Sequence, residues 1–224
     1  MLLTSSRAVY WPRERALLVA DLHLEKASFF AQFGQMLPPY DSRETLERLA
    51  LAIRETDARR VIALGDNFHD DRGADRLETH AAGMLAALTR ATDWVWITGN
   101  HDARLDTRSV DAIGGTLLPE LEIGGLKLRH QARTGEAAGE ISGHYHPKLT
   151  VRLKGRRIVR PCAVLAEQSS GPQRLILPAF GALTGGMNAA DPAIVSALQP
   201  ADSIDALVST TGKLARFPLW KAAA

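Results

Sequence analysis

The chain has 224 residues, 46% of them hydrophobic and 23% charged, which suffices for a sizeable buried core and excludes disordered and fibrous classes. Its 27 Lys and Arg against 25 Asp and Glu leave a net charge of +2, too small by itself to announce nucleic-acid binding. No apolar run approaches the roughly 20 residues of a membrane span, Arg7, Arg13, Glu14 and Arg15 interrupt the stretch that a signal peptide keeps apolar, and the single Cys162 excludes an internal disulfide or a thiolate metal site.

Those features predict a cytoplasmic protein without membrane association. In chain order, residues 16–20 form an apolar run that ends at Asp21. Asp41 and Glu44 have the spacing of a capping box, and Leu46, Leu49, Ala50 and Ile53 continue it at helical intervals. Residues 60–64 make a second strand ending in Gly65-Asp66-Asn67, a helix is expected from about 75 to 90, and residues 94–97 make a third strand ending in Thr98-Gly99-Asn100-His101-Asp102. This βαβ rhythm predicts a parallel sheet, in which ligands bind beyond the carboxyl ends of the strands, so the three polar clusters should converge.

Residues 112–224 are more basic than residues 1–111, and their pattern changes. Segments 117–122, 124–130, 139–142, 149–160 and 174–178 have the character of short strands between Gly and Pro turns, expected to pair mostly antiparallel. The tail from 204 to 220 is expected to form a hairpin turning at Thr211-Gly212. No repeat, low-complexity tract or linker divides the chain, so residues 1–224 are read as one domain.

The histidines are not scattered. Asp21-Leu-His23, Asn100-His101-Asp102, His130 and Gly143-His144-Tyr-His146 each follow a predicted strand, and Asp66 adds a carboxylate. In an extended chain residues i and i+2 point the same way, so Asp21 with His23, and His144 with His146, should each offer two ligands on one face. Imidazole and carboxylate without thiolate favour Mn, Fe or Zn. The candidates outnumber what one ion needs and suit two.

In that order the motifs resemble those of the binuclear, calcineurin-like metallophosphoesterases, over residues 21–146. The resemblance implies an α/β/β/α sandwich with Asp21, His23, Asp66 and His146 on one divalent ion, Asp66 bridging to a second, and Asn100, His130 and His144 completing that one. It places His101 beside the scissile phosphate, as donor to the leaving or a nonbridging oxygen, with Asp102 orienting its ring. Two ions roughly 3.5–4 Å apart would activate a shared water for in-line attack.

Further segments are similar to the ligase-associated DNA-damage-response endonucleases: 20–27, Leu37-Pro-Pro, 45–49, 64–69, Arg160-Pro-Cys162 and the glycine-rich 178–186. Glu25 and Asn67 depart from that pattern. The similarity implies a manganese-dependent phosphodiesterase that cuts single-stranded DNA internally, working with a DNA ligase, a helicase and an exonuclease. His69 and Arg104, near the ligands in sequence, are candidate phosphate contacts, His69 being alternatively a support for a ligand and Arg104 a surface arginine. Lys148, Arg152, Lys154, Arg156, Arg157 and Arg160 form a strip without acidic residues, either a track for a phosphate backbone or a solvated hairpin face. Phe29, Phe30, Phe33 and Tyr40 are candidates for base stacking, with core packing the alternative. A small-molecule phosphodiesterase or pyrophosphatase acting on nucleotides would share every metal ligand, and a non-catalytic scaffold would keep the fold without the ions.

Overall fold

Strands covered on both faces need no polar alternation, and the apolar runs of the first half have that environment. β3 (Ala16–Val19), β4 (Arg60–Leu64) and β5 (Asp93–Ile97) pair in parallel and continue in parallel to β6 (Thr116–Leu118). Antiparallel β2 (Val9–Trp11) and β1 (Leu2–Leu3) extend the sheet on its other side. The computed structural model describes residues 1–105, 112–210 and 213–222.

Alternate side chains of the three central strands face different cores. Leu17, Val19, Val61, Ala63, Trp94 and Trp96 pack beneath α2 (Asp41–Thr56) and α4 (Thr79–Ala91), against Leu46, Leu49, Ala52, Ala81 and Leu85. Leu18, Ala20, Ile62, Leu64, Val95 and Ile97 face the other way, onto Leu128, Ile141 and Leu177 of a second sheet. That sheet contains β7 (Leu121–Ile123), β8 (Leu126–Leu128), β9 (Gly139–Ser142), β12 (Ala163–Glu167), β13 (Arg174–Ile176), β14 (Ser203–Thr210) and β15 (Lys213–Lys221). Its far face, with Val164, Ala166, Ile176, Ile204 and Ala206, is covered by Ile194 and Ala197 of α5 (Pro192–Ala197) and by Leu198. The layers run α/β/β/α, as expected, the last being one short helix. Cys162 lies 1% exposed in that outer core.

Several expectations need correction. Asp41 does not cap its own helix: Tyr40 is the N-cap residue and makes no side-chain bond. The Asp41 carboxylate instead accepts the Ala27 N–H at 3.0 Å, in the first turn of α1 (Lys26–Ala31), while Ser42 Oγ accepts from Glu25 N–H at 2.8 Å and donates to Glu25 Oε1 at 2.7 Å. Two helix starts abut, and the acceptors serve the neighbouring one.

The helix expected at 75–90 is two, α3 (Gly73–Arg76) and α4, because the Glu78 carboxylate accepts from His80 N and Ala81 N and starts a new helix. Segment 117–122 is likewise two strands in different sheets, β6 and β7, with Pro119 and Glu120 at the crossing. The second sheet is mostly antiparallel, as expected, with β8/β9 and β9/β13 its two parallel pairs. The C-terminal hairpin is present as β14/β15, and its expected turn at 211–212 lies outside the described residues. Segment 149–160 forms its own two-stranded sheet, β10 (Lys148–Leu153) with β11 (Arg156–Pro161). Among the described residues no helix is long and apolar enough to cross a membrane.

Candidate metal centre

The ligand candidates lie just beyond strand ends, as the parallel sheet requires, but their convergence has another cause than extended spacing. Asp21 (φ 55°), His23 (φ 45°), Asp66 (φ 49°), His144 (φ 76°) and His146 (φ 47°) are all left-handed, a region where a side chain other than glycine costs about 1–2 kcal/mol. Alternating left-handed residues, rather than strand pleat, bring each pair to one side. Backbone bonds offset the cost: Asp21 N–H donates to Gly65 O at 3.1 Å, His23 N–H to Asp66 O at 2.9 Å and Leu24 N–H to Asn67 O at 2.9 Å.

Besides an all-histidine group of His23, His69 and His101, two clusters that contain carboxylates result, each with ligand atoms within 4.8 Å of one another: Asp21, His23, Asp66 and His146 in one, Asp66, His130 and His144 in the other. Asp66 belongs to both. In the first, His146 Nε2 lies 3.2 Å from His23 Nε2 and 3.3 Å from Asp21 Oδ1. In the second, His130 Nε2 lies 3.4 Å from Asp66 Oδ1, 2.9 Å from Asn100 Oδ1 and 3.0 Å from His144 Nδ1. Asn100 therefore joins the second cluster, and the whole predicted ligand set is assembled.

The donor chemistry fits divalent cations. The Leu64 carbonyl, 3.0 Å from His130 Nδ1, can only accept, so it fixes the proton there and leaves the Nε2 lone pair facing the oxygens of Asp66 and Asn100. A cation satisfies such converging acceptors. Burial, with His146 and His101 nearby, pushes the His23 pKa down to about 2, and burial with His130 lowers that of His144, so both rings are neutral at pH 7 and keep lone pairs for a metal.

Glycine makes the close approaches feasible. A Cβ on Gly99 would fall 2.1 Å from Asp66 N, and one on Gly65, already at φ +79°, 2.4 Å from His130 Nδ1. Each directly precedes a candidate ligand, Gly65 before Asp66 and Gly99 before Asn100, and that adjacency is the sequence signal for this role.

The residues around the clusters differ more from expectation. His101 donates its backbone N–H to Asp66 Oδ1 at 2.9 Å, and its ring Nδ1 bonds to His69 O at 2.9 Å. The orienting group is thus the His69 carbonyl, not Asp102. The buried Asp102 carboxylate accepts from Gly99 N–H (2.7 Å), Asn67 N–H (2.6 Å) and Phe68 N–H (3.3 Å), tying the loops after β4 and β5 together. Burial raises its pKa against the pull of those donors.

His69 is 8% exposed, its Nδ1 3.4 Å from His23 Nδ1 and its ring stacked on His101 at 5.1 Å. Phe29 and Phe30 pack against it, while Phe33 and Tyr40 are exposed. His69 thus touches candidate ligand His23 and converges with His23 and His101 on one group of ring nitrogens. Arg104 is not brought in: its side chain is 87% exposed and lies 3.8 Å from Asp71. Half-buried Lys26, absent from the candidates, adds positive charge that lowers the pKa values of both His23 and His69. Its position three residues after His23 was the available signal.

The model of the calcineurin-like phosphoesterase family matches residues 14–209. Among solved structures, the nuclease MPE of Pseudomonas putida is similar at 29% identity over 96% of this chain and 92% of that one, with a TM-score of 0.66. The phosphoesterase Yfce of E. coli aligns at 13% identity over 91% of this chain and 98% of its own, with a TM-score of 0.45. A comparison with curated proteins gives no match.

Proposed function

The chain belongs to the calcineurin-like phosphoesterase family, and from that premise we propose that it is a two-metal phosphodiesterase that cuts single-stranded DNA internally, with manganese as the ion. The observation that carries the reading is Asp66, whose carboxylate is common to two clusters of otherwise separate acceptors. In this reading Asp21, His23, Asp66 and His146 hold one ion and Asp66, Asn100, His130 and His144 the other. The bound ions would activate water and neutralise charge on the phosphate during in-line displacement.

The chain's own residues supply orientation and a proton. Leu64 O fixes the tautomer of His130, and His69 O holds His101 by Nδ1. That leaves His101 Nε2 as the ring atom available to phosphate. Protonated, it donates to the leaving or a nonbridging oxygen, a contribution of about 10²- to 10⁴-fold. DNA as substrate is supported by the similarity of segments 20–27, 160–162 and 178–186 to the ligase-associated endonucleases, and by the likeness to a nuclease over nearly the whole chain. Work in the cytoplasm beside a DNA ligase, a helicase and an exonuclease belongs to the same proposal.

The test is circular single-stranded DNA in manganese, with duplex and mononucleotide controls, comparing wild type, His101→Ala and Asp66→Ala. A circle has no ends, so linearisation by wild type and not by either variant is the expected result. An intact circle beside hydrolysed nucleotide diesters would transfer the reading to a small-molecule phosphodiesterase. No hydrolysis of any of these substrates, with or without bound ions, would leave a scaffold.

A further inference from the structure

Of the 20 arginines among the described residues, ten have a carboxylate within 4.0 Å. Arg15, Arg43, Arg60, Arg76, Arg129, Arg174 and Arg216 each pair with Asp or Glu. The β10–β11 hairpin concentrates cations without one: among the described residues, no carboxylate pairs with Lys148, Arg152, Lys154, Arg156, Arg157 or Arg160. Unneutralised cations gathered on one projecting element, in a chain of nearly balanced charge, call for an anionic partner.

The register sorts these cations by face. Leu149 lies opposite Arg160 and Val151 opposite Ile158, and Leu149 and Val151 pack on the outer core of the second sheet. The other face therefore points outward, with Arg152 directly opposite Arg157, both exposed, and Lys154 exposed at the tip, while Arg156, opposite Leu153, belongs to the Leu149 face. At the root of this face, Lys148 Nζ donates to Thr184 O at 3.2 Å and its stem lies against Gly186, which also abuts the carbonyl of His146. The outward face thus begins two residues from a candidate ligand and extends about 13 Å along the strand from Lys148 to Arg152.

Resting on the function proposed above, we infer that this outward face, through Lys148, Arg152 and Arg157, is the track along which the sugar-phosphate backbone of a single strand leaves the metal centre. Its spaced charges suit consecutive phosphates. A mononucleotide or small diester reacting at the ions does not reach Arg152 or Arg157.

The test pairs Arg152→Glu/Arg157→Glu with Arg160→Glu, a charge reversal on the opposite face of the same hairpin. Binding of a 30-nucleotide single strand is measured across a salt series, and hydrolysis of bis(p-nitrophenyl) phosphate in parallel. The double variant should bind DNA at least about 10-fold more weakly and lower the salt slope by about 1.4, two phosphates at about 0.7 each. Small-diester hydrolysis should stay within about 2-fold of wild type, Arg160→Glu should change DNA binding much less, and Arg152→Lys/Arg157→Lys should restore it. Wild-type DNA binding and cleavage with an unchanged double variant would overturn the track while leaving the nuclease reading intact. Equal losses on both substrates would also overturn it. Wild type that hydrolyses the diester but neither binds nor cuts DNA would remove both.

Discussion

The two sheets solve the same problem, holding ligand loops steady, by different physics. The first is a doubly covered apolar sheet whose central strands carry ligands immediately after their ends. The second places buried charge under its loops. Glu140, 0% exposed at its side chain, accepts from Arg174 Nη2 at 2.6 Å and Arg129 Nη1 at 3.1 Å, both arginines being nearly inaccessible. Arg129 adjoins His130, and Glu140 is the second residue of the strand that leads to His144 and His146. A ligand loop on the first sheet is therefore positioned by adaptable apolar packing, and one on the second by an ion network that tolerates no missing member.

The largest effect should come from the residue that the two regions share. Asp66→Ala takes a carboxylate from both clusters, so metal analysis should show loss of both ions and turnover should vanish. His144→Ala, on the second-sheet side only, should retain the ion of the Asp21 cluster. Retention of both ions by Asp66→Ala would break the shared-centre description.

Stability should differ next. Glu140→Gln leaves the buried Arg174 guanidinium without its counter-charge, while Arg129 keeps Glu136 and Glu120, and should cost about 3–5 kcal/mol in urea unfolding, whereas Ile62→Val in the first sheet should cost about 0.5–1.5 kcal/mol. Similar losses for the two would erase the contrast between ionic and apolar support.

The smallest effect is confined to acid. Bonds from Ala138 N–H, then Lys127 and Arg129, hold the Glu136 pKa down to about 2. A carboxyl lowered below its unfolded value of about 4.3 stabilises the fold above that value and loses its contribution as pH falls towards 2. Glu136→Gln should therefore flatten the decline of Tm between about pH 4.3 and 2 while leaving the slope near pH 7 unchanged. An unaltered acid limb would remove Glu136 from the network.

Legibility follows the same division. Apolar runs at 16–20, 60–64 and 94–97 announce buried strands because both faces are covered, and Asp21, His23, Asp66, Asn100, His130, His144 and His146 are legible because few structural roles call for imidazole and carboxylate together after strand ends. The break between β6 and β7 is not legible, since neighbouring apolar residues carry no mark of which sheet they will join. Nor is the capping partner of Asp41, which comes from another helix.

From the sequence alone, the identity and order of the candidate ligands carried the family resemblance that implied the reaction class and the α/β/β/α sandwich, while periodicity predicted the parallel βαβ half. Only the tertiary structure decided that left-handed turns aim the ligands, that His69 O rather than Asp102 holds His101, that Arg104 faces solvent, and which cations of the hairpin face outward. Each depends on hydrogen bonds or strand register between segments distant in the chain, where local residue pattern carries no information about the partner.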